Sequence, residues 1–312
     1  MALPRQAAAF LEAALFAPKT PLQKLFVALL APLGALVCFF SGRALKNQNP
    51  QDFGLPIVGV GNLVAGGTGK TPLTAALASG CAAPAIILRG YGRASRDLGV
   101  VAHQGKILLD AKQAGDEALV YARLLPEATV IVSADRIAGI QKAKTLGAQT
   151  IFLDDAFRHR QIKKFDILIR PNPDPANPRC LPAGPYRQSP SAYALADFVA
   201  IEGRDFTREA VVQNPTDRMV LITAIARPKR LDRWLPPVIA RYEYPDHHPF
   251  DEAEIRAIFA KHQATSLLVT LKDAVKLESF GLPLSLLALT LSPSPALQAA
   301  IQEYIHHKAH NR

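Results

Sequence analysis

The chain has 312 residues, 49% of them apolar and 20% charged, a balance that excludes a disordered protein and leaves room for two domains with real cores. A formal charge of +10 and an isoelectric point near 9.6 favour anionic partners, whether nucleic acid, acidic lipid headgroups or phosphorylated substrates. Nucleic acid is the less attractive of these, because aromatics make up 7% of the chain and no basic run interleaves with them.

In chain order, the first feature is an uncharged run of sixteen residues, Leu25 to Phe40, set between Lys19 and Lys24 before it and Arg43 and Lys46 after it. A transmembrane helix needs about 20 apolar residues. The run is shorter and is interrupted by Pro32 and Gly34, so it reads as an interfacial or partly inserted helix on a membrane surface. Its basic flanks would meet anionic headgroups.

Leu55 to Thr74 reads as a buried strand, a glycine turn and the first turn of a helix, the order of elements that holds a polyphosphate. Gly66, Gly67 and Gly69, with Thr68 among them, let backbone N–H groups approach the anion. Lys70 can reach bridging oxygens, and Thr71 can ligate Mg²⁺. Val64 stands where the strict pattern has its first glycine.

Further apolar runs at 85–88, 129–132, 151–153, 165–169 and 197–201 read as strands, alternating with helical patterns such as the one opened by Gly115-Asp116-Glu117. Such alternation implies a parallel sheet with ligand groups beyond the carboxyl ends of its strands. Residues 66–71, 89–93, 135–136 and 154–155 all fall at such ends. Asp154 and Asp155 follow an apolar strand, where a magnesium-dependent nucleotide enzyme needs a carboxylate. Arg89, Arg93, Arg136 and Arg187 are candidates for holding phosphate oxygens. On its own, Asp116 reads equally as a helix cap, and His247 and His248 as a polar turn, a metal site or an acid–base group. Cys38, Cys81 and Cys180 are widely separated and read as reduced thiols.

A proline-rich, irregular stretch at 171–190 suits a substrate loop. Beyond a boundary near Asn214-Pro215-Thr216, strands at 219–224, 267–270 and 284–289 and helices at 251–261 and 296–306 make a smaller α/β unit. The expected fold is therefore α/β, with two α/β/α sandwich units, the larger a P-loop parallel sheet, plus an apolar N-terminal helix. The segments are 1–50, 51–213 and 214–312.

Taken together, Gly-Asn-Leu-x-x-Gly-Gly-Thr-Gly-Lys-Thr-Pro (61–72), Arg-Gly-Tyr-Gly-Arg (89–93), Gly-Asp-Glu (115–117) and Leu-Asp-Asp-x-Phe-x-His-Arg (153–160) resemble one family. Leu-Pro-Ala-Gly-Pro-x-Arg (181–187), Ala-x-Ala-Arg-Pro (224–228), Pro-Asp-His-His-Pro-Phe (245–250) and Lys-Asp-Ala-Val-Lys-Leu (272–277) extend the resemblance in the same order. The family is tetraacyldisaccharide 4′-kinase, the lipid A 4′-kinase of Gram-negative bacteria.

The resemblance implies ATP- and Mg²⁺-dependent phosphorylation of the 4′-hydroxyl of an acylated glucosamine disaccharide 1-phosphate. The enzyme would be peripheral or monotopic at the cytoplasmic face of the inner membrane. It further implies that Lys70 and Thr71 serve the phosphates and metal, Asp154 and Asp155 the Mg²⁺, and Asp116 the sugar hydroxyl as base. His247, from the smaller domain, would support Asp116 once the domains close. Arg89, Tyr91, Arg136 and Arg187 would contact substrate or nucleotide. The chain departs from the family's usual residues at Ala156, Arg158, Gln188 and Leu271. The competing reading is a membrane-positioned P-loop ATPase switch of the partitioning type, which carries a signature lysine where this chain has Ala65.

Overall fold

The computed structural model describes residues 5–45, 49–246 and 248–310. Helices α1 (Arg5–Phe16) and α2 (Pro21–Ala44) precede β1 (Ile57–Asn62), α3 (Lys70–Ala78), β2 (Pro84–Leu88), β3 (Gly99–His103), β4 (Lys106–Ile107), α4 (Ala111–Ala114) and α5 (Asp116–Leu124). Next come β5 (Thr129–Val132), α6 (Arg136–Thr145), β6 (Thr150–Asp154), β7 (Phe165–Arg170) and β8 (Phe198–Ile201). The chain continues with β9 (Phe206–Gln213), β10 (Met219–Thr223), β11 (Ala240–Glu243), α7 (Glu252–Lys261), β12 (Ser266–Thr270), α8 (Leu271–Leu277), β13 (Leu284–Pro293) and α9 (Pro295–His310).

Two sheets result, one of eight strands ordered β4-β3-β5-β2-β6-β1-β7-β8 and one of five ordered β11-β10-β12-β13-β9. The chain forms two compact units: residues 1–70, 153–206 and 294–312 make the first, and residues 71–152 and 207–293 the second. In the first, β1, β7 and β8 run parallel, and β1 is buried along its whole length, as its unbroken apolar-and-glycine sequence requires. In the second, β2 and β5 are parallel, β3 runs antiparallel beside β5, and β10 pairs in parallel with β11 and β12 over a core that includes Val220, Ile222, Ile255 and Leu267.

The strands and helices expected from the sequence are present with boundaries close to those read. The β3–β4 hairpin and the strands β9 and β11 are additions. Each is short or half-exposed, with no continuous apolar run to mark it.

Helix α2 is longer than the uncharged run suggested. Thr20 and Gln23 form a reciprocal capping box and Pro21 occupies the first turn, so the helix starts before Leu25 and continues through Pro32 for 24 residues, about 36 Å. That is long and apolar enough to cross a bilayer. Gln23, Val27 and Gly34 form its inward stripe, while Leu22, Leu25, Leu29, Leu33, Leu36, Phe39 and Phe40 stay exposed.

Inward packing of α2 settles on the 180–184 turn. A Cβ on Gly34 would lie 2.8 Å from the carbonyl oxygen of Cys180 and 2.9 Å from Cβ of Ala183. Cys38, one turn on, is disulfide-bonded to Cys180, with 5.7 Å between their Cα atoms. This corrects the expectation of three reduced thiols; only Cys81 is free. The two partners lie 142 residues apart in unlike contexts, so spacing carried no sign of the pairing.

Replacing Gly34 by Val should destabilise the protein by about 1–3 kcal/mol, because the obstructing atoms belong to backbone and a Cβ that cannot swing aside. Chemical denaturation of detergent-solubilised wild type and variant measures it; equal midpoints would show that α2 moves off the turn at no cost.

Candidate active site

The glycine loop leaves β1 at Asn62 and enters α3 at Lys70. Gly66 and Gly69 have φ of +101° and +89°, a left-handed backbone that side chains resist. Gly67 is exposed, and a Cβ built on it would meet nothing within 4 Å, so its lack of a side chain keeps open space at the loop. Val64, the departure from the strict pattern, has a structural reason. It forms an antiparallel bridge with Tyr186 and is buried in a core with Leu63, Phe157 and Tyr186, where a glycine would leave a void.

Lys70 is the first residue of α3, where the helix's partial positive charge is unfavourable for an ammonium. Its Nζ donates to Asn62 Oδ1 at 3.0 Å and lies 4.0 Å from Asp155 Oδ1. Asp155 also accepts from Arg187 Nη1 at 2.8 Å through Oδ2. With φ of +51°, Asp155 sits in the left-handed region that Asp tolerates better than most residues, while its N–H donates to the carbonyl of Val60. Asp154, the last residue of β6, is buried. One unit thus brings together Lys70, Asp155 and Arg187, three of the residues anticipated from the sequence.

The other unit holds Asp116. It opens α5 as the first helical residue, and Gly115, not Asp116, is the cap; the cap reading of Asp116 is therefore incorrect. Gly115 has φ of +83°, and a Cβ there would lie 2.9 Å from the carbonyl oxygen of Tyr91, so glycine is required on two grounds. Lys276 Nζ lies 3.0 Å from Asp116 Oδ2. Lys276 was not singled out from the sequence, although the 272–277 motif contains it.

That motif resolves into separate tasks. Asp273, fully buried, accepts from Thr223 Oγ1 (3.0 Å), Ala224 N (3.0 Å) and Thr270 Oγ1 (2.7 Å), which fixes α8 to the end of β10; burial pushes its carboxyl up from the usual range. Lys272 and Lys276, one turn apart, reach out from α8: Lys272 Nζ donates to Asp246 at 2.7 Å, and Lys276 Nζ also donates to the carbonyl of His248 at 3.2 Å. His247 lies outside the described residues. The His248 ring stacks on Tyr244 at 4.8 Å and meets Phe250 edge-on, which makes it an aromatic packing element of the loop.

The remaining candidates divide by environment. Arg89 is exposed just beyond β2, and Tyr91 is 69% exposed. Arg136 is buried at the start of α6, its guanidinium donating to the carbonyl of Ser133. Arg93 donates to the carbonyls of Arg96 and Asp97 and braces its own turn, and burial pulls its guanidinium below the usual value.

Comparison with known proteins places the chain in a family. The model of the family LpxK, tetraacyldisaccharide-1-P 4'-kinase, matches residues 26–309. The chain is 42% identical over 297 residues to a tetraacyldisaccharide 4'-kinase of Helicobacter pylori (strain ATCC 700392 / 26695), covering 95% of each chain. To that of Aliarcobacter butzleri it is 43% identical, covering 88% of each, and to one of Campylobacter jejuni 41%, covering 91% of this chain and 92% of the other. The crystal structure of the "apo" form of LpxK from Aquifex aeolicus in complex with ATP has the same fold, with a TM-score of 0.74 over 90% of this chain and 99% of that one at 23% identity. The chain belongs to the tetraacyldisaccharide-1-P 4'-kinase family.

Proposed function

We propose that this protein transfers the γ-phosphoryl group of ATP to the 4′-hydroxyl of a tetraacylated glucosamine disaccharide 1-phosphate, a step of lipid A biosynthesis, at the cytoplasmic face of the inner membrane. The observation that carries the reading is the convergence of Lys70 and Arg187 on Asp155 beside a loop held open by glycine. The Lys70 and Arg187 side chains are 16% and 31% exposed and that of Asp155 45%, so solvent reaches the shared carboxylate and phosphate oxygens can exchange for it.

In this reading Gly66, Gly67, Thr68, Gly69 and Lys70 cradle the phosphates. Thr71, Asp154 and Asp155 offer the hard oxygen donors that suit Mg²⁺, which when bound neutralises charge on the transferring group. Asp116 accepts the proton of the 4′-hydroxyl as its oxygen bonds to the γ-phosphorus and the bond to ADP breaks. His247 supports Asp116. Arg89 and Tyr91, both exposed, meet the acceptor; Arg136 shapes the segment after β5, and Arg187 serves the phosphate side.

The exposed apolar face of α2, with Lys19, Lys24 and Arg43 at its ends, beds the enzyme in the bilayer where an acylated acceptor resides. Burying one such leucine contributes about 1.5–3 kcal/mol. Changing Leu29 and Leu33 to Glu should therefore cut co-flotation with anionic vesicles more than tenfold, by roughly that arithmetic. Unchanged flotation would place the contact elsewhere.

Phosphate transfer from ATP to purified acylated disaccharide 1-phosphate tests the reaction. ADP forming equally with and without the acceptor would overturn it in favour of the partitioning-type switch. Gly67→Ala separates loop chemistry from loop folding: stability should stay within about 0.5 kcal/mol, since the new methyl meets open space, while ATP affinity falls. Calorimetric titration with ATP reads the second quantity, and undiminished affinity would remove Gly67 from the cradle. Gly115→Ala should cost about 1–3 kcal/mol of stability through its left-handed backbone and the Tyr91 carbonyl, and lower turnover by displacing Asp116. Urea denaturation and steady-state turnover measure the two effects; neither changing would show that Gly115 does not set the position of Asp116.

A further inference from the structure

Lys276 has an ammonium in an unusual position. Its side chain is 9% exposed, and among the described residues Nζ meets Asp116 Oδ2 at 3.0 Å, the carbonyl oxygen of His248 at 3.2 Å, and the face of Phe250 at 5.5 Å from the ring centroid. A nearly buried ammonium is costly unless its partners offset the lost hydration, and a carboxylate, a carbonyl and an aromatic face together do so. One cation therefore links the first residue of α5 to the loop that carries residues 244–250.

The fold does not need Lys276 to hold these segments together. Arg123 pairs with Glu278 to tie α5 to the end of α8, and Lys272 pairs with Asp246 to tie α8 to the loop. The loop is further closed by the Tyr244–His248 stack and by Tyr244 donating to Glu254 at 2.7 Å. What Lys276 adds to these ties is a positive charge 3.0 Å from Oδ2 of Asp116.

We infer that Lys276 is a positioning residue for the phosphoryl transfer: it locks the Asp116 carboxylate in one orientation and registers it against the loop that carries His248 and Phe250. The inference rests on the reading of Asp116 as the base. A carboxylate that must accept a hydroxyl proton late in a loose transfer needs orientation more than basicity, so an adjacent ammonium helps more through geometry than it costs through lowered proton affinity.

Turnover of the full chain in detergent micelles, with ATP and acylated disaccharide 1-phosphate varied in turn, tests it. Lys276→Met keeps the stem over Phe250 and removes the charge. It should lower kcat about 10- to 100-fold, part of what a positioned base supplies, and leave both KM values within about twofold. Lys276→Arg should recover most of the loss. In an Asp116→Asn background, Lys276→Met should cost nothing further, because it acts through the carboxylate.

Wild-type kcat in Lys276→Met, or an equal further loss in the Asp116→Asn background, would overturn the inference while leaving Asp116 as base. Wild-type kcat in Asp116→Asn alone would instead remove the base reading, and the inference with it. Should Lys276→Met fail to fold, Lys276→Gln is compared with Lys276→Arg; equal turnover in those two would overturn the role of the charge.

Discussion

A lysine at the first position of a helix needs a counter-charge, and the way this chain supplies one organises the first unit. Lys70 sits at the positive end of α3 and is balanced by Asn62 and by Asp155 at 4.0 Å. Asp155 is also engaged by Arg187, so one half-exposed carboxylate joins the phosphate loop, the end of β6 and the proline-rich segment. Screened pairs of this kind contribute about 0–1 kcal/mol each. The cations are thus held in place without being tightly consumed, the condition for an incoming polyphosphate to replace the carboxylate.

From Arg187 the connection runs outward to α2. The N–H of Arg187 donates to the carbonyl of Leu63 at 2.7 Å, that of Ala65 donates to the carbonyl of Pro185 at 2.8 Å, and Val64 bridges Tyr186. Tyr186 and Cys180 share a core with Leu63, Val64 and Phe157, against which Phe16 and Cys38 pack. Close approach at Gly34 and the bond between Cys38 and Cys180 bring α2 onto that same core. The exposed apolar face of α2 and the glycine loop are therefore two surfaces of one packed body.

Much of this was legible in the sequence, for a physical reason. Buried parallel strands need continuous apolar runs, and a phosphate loop needs glycine at positive φ, so β1, the loop and α3 could be read from residues 55–74 alone. The apolar helix was also legible, although its length was not: charge-free residues mark only what lies between flanking lysines and arginines, whereas the capping box at Thr20 sets where it starts. The Cys38–Cys180 bond and the bridge that makes Val64 a core residue were hidden, because each depends on a partner more than a hundred positions away. His248, open in the sequence between a polar turn, a metal site and an acid–base group, packs on Tyr244 and Phe250, contacts that adjacent histidines do not announce.

The 272–277 stretch shows most clearly what pattern reading leaves out. As sequence it is a charged turn of helix, the kind that usually faces solvent. In the fold Asp273 is fully buried and accepts three hydrogen bonds that fix α8 to β10, and only with that anchor in place do Lys272 and Lys276 point along one face. The carboxylate proposed as base then receives its charge partner from a segment far along the chain. Its orientation accordingly depends on the stability of α8 as well as on the backbone at residue 115. Gly115 places the backbone of Asp116 and Lys276 holds its side chain: two separate constraints from two segments of the chain.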